Sequence, residues 1–145
     1  METPNKPHRR HDAAPAAPSG APPAVWVDLL ERCAAGVPSG PQWAHESEDL
    51  DVTLLSWTTG RRIESHINLE VDVVCVGVEG AGVITIDGAA HELRAGQLLL
   101  IPKGCERSIE STSQRFTYLS LHRRRRGLMP VPNWKGSQNV EARES

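Results

Sequence analysis

Apolar and polar positions change their period twice along this chain. Residues 1 to about 23 are rich in proline, alanine and charge, with almost nothing able to form a packed face, which predicts a disordered tail. From Val25 the apolar residues Val25, Leu29, Leu30 and Cys33 fall at helical offsets. Gly36 and Pro38 follow as stop signals, so one short helix is predicted between residues 25 and 35. From Leu50 the period becomes two. Runs rich in Val, Ile, Leu and Thr predict strands near 50–57, 61–68, 72–79, 82–87, 90–94, 97–102, 105–110 and 115–122. Asp87-Gly88 predicts a type I′ hairpin, whose two central residues need positive φ. Short strands joined by tight turns make an antiparallel sandwich or barrel. After His122 the pattern ends, and Pro130, Pro132 and a polar finish predict an arm and then disorder. The expected division is a tail at 1–23, helix and lead-in at 24–49, a β-barrel at 50–126, and a C-terminal arm and tail at 127–145.

Composition narrows the class. With 145 residues, 39% of them apolar and 23% charged, the chain has enough material for one core. A formal net charge of −2 argues against a dedicated binder of nucleic acid or membrane surfaces. The four arginines at 123–126 are a local exception, read as a solvated strand end. No window approaches the roughly 18 continuous apolar residues of a membrane helix, and no apolar region follows the basic N-terminus. A cytoplasmic protein is expected. The 3 cysteines, Cys33, Cys75 and Cys105, are an odd number at wide spacings, which suits neither a disulfide framework nor a zinc knuckle. Cys75 reads as a small buried hydrophobe.

Read as one extended segment, Glu64, His66, Asn68, Glu70 and Asp72 share one parity, while Ile63, Ile67, Leu69 and Val71 take the other. Periodicity alone turns the apolar set to the core and the polar set to solvent. Phe116, Tyr118, Ser120 and His122 also share a face. His91 follows the hairpin turn and reads as a surface residue. There is no Gly-x-Ser-x-Gly elbow, no Gly-x-Gly-x-x-Gly or Walker loop, and no Cys/His pair at a motif spacing.

Two stretches carry a family resemblance: Gly60-Arg-Arg-Ile-Glu-Ser-His66-Ile-Asn68 and Gly96-Gln-Leu-Leu-Leu-Ile-Pro102-Lys-Gly104-Cys-Glu-Arg107. With Glu79-Gly80-Ala-Gly82, Asp87-Gly88 and His91-Glu-Leu-Arg-Ala-Gly96 between them, they resemble the cupin family in order and spacing over residues 50–122. The resemblance implies an all-β, cupin-type double-stranded β-helix, a jelly-roll barrel, preceded by the short helix. It also implies that His66 and Asn68 point into the barrel, reversing the assignment that periodicity gives. The polar face then lines a cavity. The apolar face needs another cover, either a second protomer or the N-terminal segment with Val25, Trp26 and Leu29.

Cupins usually bind a metal through two histidines and a glutamate in the first motif and a histidine in the second. Here His66 is retained, Asn68 stands at the second histidine and Arg107 at the last, so the metal site is degenerate. The acid is at best Asp72, one residue out of step with Gly80. An arginine stays protonated and has no lone pair to give a metal. Arg107 either turns out to solvent from the loop after Gly104 or enters the cavity near Asp72 or Glu70, where it pairs with Asp72 and fills the old metal site or captures an anionic ligand.

The expected binding set is therefore His66, Asn68, Glu70, Asp72, Arg107 and Tyr118, and the expected function is a cupin domain that holds a small polar or anionic ligand without the usual metal or any other cofactor. The alternative is a metal-dependent cupin enzyme of oxygenase or isomerase/epimerase type, with His66, Glu70 and Asp72 on Fe(II), Mn(II) or Zn(II). A third is an interaction protein with a filled barrel, whose Arg123 to Arg126 strip meets an acidic partner. Leu98-Leu-Leu-Ile101 carries leucines on both faces, so a homodimer is the expected assembly, with no nucleic-acid or membrane partner.

Overall fold

The computed structural model describes residues 20–125. The expectations for residues 1–19, Arg126 and the arm and tail from Gly127 lie outside the described residues. Among the described residues one helix, α1 (Leu29–Ala35), precedes nine strands: β1 (Gly40–Glu46), β2 (Leu50–Thr58), β3 (Arg62–Ile67), β4 (Val73–Glu79), β5 (Ala81–Ile86), β6 (Ala89–Arg94), β7 (Leu98–Ile101), β8 (Glu106–Ser111) and β9 (Arg115–Arg123). They form two antiparallel sheets, a five-stranded one in the order β1-β2-β9-β4-β7 and a four-stranded one in the order β3-β8-β5-β6.

The sheets enclose one core. Leu55, Trp57, Val73, Cys75, Ile101, Phe116 and Tyr118 of the larger sheet meet Ile63, Ile84, Leu93 and Ile109 of the smaller. Alternation along each strand supplies these inward side chains, as the period of two requires. The Phe116 and Tyr118 rings stack with centroids 5.2 Å apart. On the outer face of the larger sheet, Cys33 of α1 is buried and hydrogen-bonds Thr117. The Asp28 carboxylate caps α1 by accepting from Glu31 N at 3.0 Å.

The eight expected strands are all present, and Asp87 and Gly88 have φ of 47° and 83°, as the hairpin requires. The structure departs from expectation in three places. The lead-in contains a strand, β1, which pairs with β2 as the sheet's edge. The helix begins at Leu29 rather than Val25.

The third departure is a register shift. Ile63 faces Ile109 and His66 faces Arg107, so three steps on β3 match two on β8. The extra residue is a bulge that breaks the parity rule. Ile63 and His66 therefore both turn inward, although the sequence places them on opposite faces. Ile67 and Leu69 stay outside at 54% and 76% exposure, and Trp26 is 85% exposed. Of the two covers considered for that apolar face, the N-terminal segment with Trp26 is thus not one among the described residues. No helix among them is long and apolar enough to cross a membrane.

Candidate functional site

Pairing of β3 with β8 sets His66 directly across from Arg107. On the other sheet β4 and β9 set Val73 beside His122, Cys75 beside Ser120 and Gly77 beside Tyr118. The two groups face each other around a cavity of about 30 Å³, lined by His66, Asn68, Cys75, Arg107, Tyr118, Ser120, His122 and Arg125 together with apolar side chains. That space holds on the order of two water molecules, each needing about 10–15 Å³. The site is small, and most of its wall is built on strands.

His66 Nδ1 lies 3.1 Å from the Glu64 carbonyl. A carbonyl only accepts, so Nδ1 carries the proton in this contact. Burial lowers the His66 pKa below the usual imidazole value; the bond to Glu64 opposes this, and the Arg107 and Arg125 charges reinforce it. His66 is thus biased toward its neutral form, with Nε2 as the acceptor atom of the ring. Arg107 is 8% exposed, an unusual degree of burial for an arginine. Trp57 Nε1 donates to Tyr118 Oη at 3.4 Å, while the Arg61 guanidinium lies over the Trp57 ring, 5.8 Å from its centroid.

Asn68 has the most fully defined geometry of the polar residues. After β3 the chain turns, and Asn68 Oδ1 accepts from the backbone N–H of Glu70 at 2.9 Å and of Val71 at 3.3 Å. This side-chain turn is a habit of Asn. Both contacts demand an oxygen, which fixes the amide orientation. Asn68 is 7% exposed, and its Nδ2 is buried with no hydrogen-bond partner among the described residues.

Four of the sequence-derived site residues therefore converge on the cavity: His66, Asn68, Arg107 and Tyr118. Glu70 and Asp72 do not. They line a wider outer groove of about 540 Å³ beside it, with Lys103 and Arg123. Asp72 is exposed, and its Oδ1 accepts from Lys103 N at 2.8 Å. Glu70 lies 3.4 Å from Arg125 Nε. The expected pairing of Arg107 with Asp72 is thus not formed, because the turn at Asn68 swings both acids outward. Val71 and Val73 take the inward places instead.

The same placement bears on a metal. No group of three or more His, Cys, Asp or Glu among the described residues is arranged to hold one. With Asn68 turned to present its amide nitrogen and Arg107 beside it, the donors present do not fit the ion cupins usually carry. The sequence reading missed Cys75 and Arg125 as cavity residues. Cys75 shares parity with Val73, so its inward turn was available from the pattern. Arg125 lies beyond the last strand, where parity gives no signal.

The family model described as AraC-like ligand binding domain matches residues 51–136. Dimethylsulfoniopropionate lyase DddW of Ruegeria pomeroyi is 34% identical over 58 residues, which are 40% of this chain. The chain spans only 38% of that curated relative. A protein from Bacillus halodurans is similar in structure, with a TM-score of 0.61 at 21% identity over 78% of this chain and 89% of that one. A cupin-2 domain containing protein from Shewanella frigidimarina has a TM-score of 0.59 at 19% identity over 68% and 94%. At these identities the structural likenesses show the fold, a jelly-roll barrel.

Proposed function

We propose a binding function from one premise: the chain belongs to the AraC-like ligand binding domain family and is a cupin. On that premise the barrel cavity takes a small polar or anionic ligand, and does so without the usual metal. The observation that carries this reading is Arg107, 8% exposed on the cavity wall across from His66. A guanidinium keeps its charge at any working pH and offers donors in a fork that suits an oxyanion. The outward placement of Glu70 and Asp72 supports the metal-free part.

Calorimetric titration tests both parts. Wild-type protein should bind small carboxylates or polyols, with affinity for carboxylates falling at least tenfold in Arg107→Ala, and should show no stoichiometric uptake of Fe(II), Mn(II) or Zn(II). Tight metal uptake abolished by His66→Ala would overturn the metal-free reading.

A second reading, an enzyme, is favoured by the 34% identity to a lyase over 58 residues. Turnover of a candidate substrate that is lost in both His66→Ala and Tyr118→Phe would establish it. The proposal extends to assembly as a homodimer. Leu98 and Leu100, 62% and 52% exposed, continue the outward row of Val76 and Val74 on β4, and a second copy is the cover such a row calls for. Sedimentation as a monomer at micromolar concentration would remove this part alone.

A further inference from the structure

We infer that the cavity selects a carboxylate over a neutral group of the same size and shape, with Asn68 as a residue that enforces the choice. The inference deepens the binding reading above and rests on it. Its starting point is polarity rather than charge. An asparagine side chain presents either a donor or an acceptor, and which one it presents is normally free to change by a flip. At Asn68 the flip is closed. Oδ1 is held by the N–H groups of Glu70 and Val71 at 2.9 and 3.3 Å, so the inward atom is Nδ2. That atom is buried without a hydrogen-bond partner among the described residues, on a side chain 7% exposed. Leaving a donor so placed carries the full penalty of its lost hydration. Occupation by an acceptor recovers that cost.

The neighbours agree in sign. The guanidinium groups of Arg107 and Arg125 only donate. Tyr118 Oη accepts from the Trp57 indole, which cannot reverse its role. His66, with its acceptor atom at Nε2, and Ser120 and His122, which can also accept, are the exceptions. Around the rest of the polar wall, a group with two acceptor oxygens meets donors. A primary amide of the same shape brings one N–H₂ that finds donors facing it, and a mismatch of that kind is penalised more heavily than a match is rewarded. Size sets the other limit. About 30 Å³ admits a carboxyl group of three heavy atoms but not a whole sugar. A larger acid must leave its body in the outer groove, whose wall shares His122 with the cavity.

Acetate and acetamide are the direct probes, because they differ in little except the exchange of O⁻ for NH₂. Titrated into the full chain by calorimetry or chemical-shift perturbation, acetate should bind at least tenfold more tightly than acetamide. Asn68→Asp keeps an oxygen for the Glu70 and Val71 N–H groups but turns a second oxygen inward. It should lose acetate affinity at least tenfold and hold acetamide as well as the wild type or better. Equal wild-type affinities for the two probes, or an Asn68→Asp variant with an unchanged ratio, would overturn the inference and leave the cavity as a binding site. Binding of neither probe, nor of a polyol, would sink the binding reading together with it. Should Asn68→Asp fail to fold, the wild-type ratio alone decides.

Discussion

Gly104 offers a test of how the loop after β7 holds the site. Its φ is +87°, and its N–H donates to the Asn68 carbonyl at 2.7 Å. A Cβ built there meets no heavy atom within 4 Å. Steric clash is thus absent, and any loss on substitution comes from backbone conformation alone. For an ordinary L-residue in the left-handed region that is about 1–2 kcal/mol, so Gly104→Ala should lose roughly this amount. A β-branched side chain is worse placed, which puts Gly104→Val at about 2–3 kcal/mol. Asn tolerates the region, so Gly104→Asn should cost less than about 1 kcal/mol. In a domain of this size each kcal/mol moves Tm by about 4–8 °C, which gives Gly104→Val a fall of roughly 8–24 °C. Urea unfolding with matched thermal melts reads the series. The order Val, Ala, Asn by severity is the signature of φ. An unchanged Tm for Gly104→Val, or equal losses for Val and Asn, would refute the reasoning. Because the same N–H holds the Asn68 carbonyl, Gly104→Val should also weaken acetate binding more than Gly104→Asn does.

Two further outcomes follow from the core and the cavity wall. His66 has a folded pKa below its unfolded value of about 6.5, so the unfolded chain binds more protons. Stability should be full above that pH and decline as pH falls through it. Urea midpoints at pH 7.5 and pH 5 should differ less in His66→Gln than in the wild type, and equal differences would contradict this. Phe116, 0% exposed and stacked on Tyr118, should cost about 3–5 kcal/mol as Phe116→Ala. A loss below about 1 kcal/mol in urea unfolding would show that the two sheets do not meet there.

The strands were legible because each carries its own alternation and its own turn, as at Asp87-Gly88. β1 was not. Pro41, Gln42, His45 and Glu46 give it little apolar alternation, and its register with β2 slips between Pro41 and Trp43. It is a strand because β2 offers a free edge, which is a tertiary fact. The cavity was half legible. The cupin resemblance, against the periodicity, brought His66, Asn68 and Arg107 to one cavity, and the shared face of Phe116, Tyr118, Ser120 and His122 added Tyr118. A strict period carried past Asn68 placed Glu70 and Asp72 with them, and the turn that Asn68 itself makes removes them. No sequence rule gives the orientation of that amide, since it depends on two backbone N–H groups that only the folded turn brings round.

The place of β9 in the sheet has a consequence for synthesis. It lies between β2 and β4, pairing with residues 50–58 on one side and with residues 73–79 on the other. Among the described strands, the central strand of the larger sheet is thus the last to leave the ribosome. Until Arg115 to Arg123 emerge, β2 and β4 have no common partner, and Phe116 and Tyr118 are missing from the core. Native pairing of this kind is long-range in sequence and slow to form, so the nascent chain exposes β2 and β4 as open edges until β9 emerges. A ribosome stalled just before Arg115 should hold a chain that engages chaperones, whereas one stalled well beyond Arg125 should hold a folded barrel.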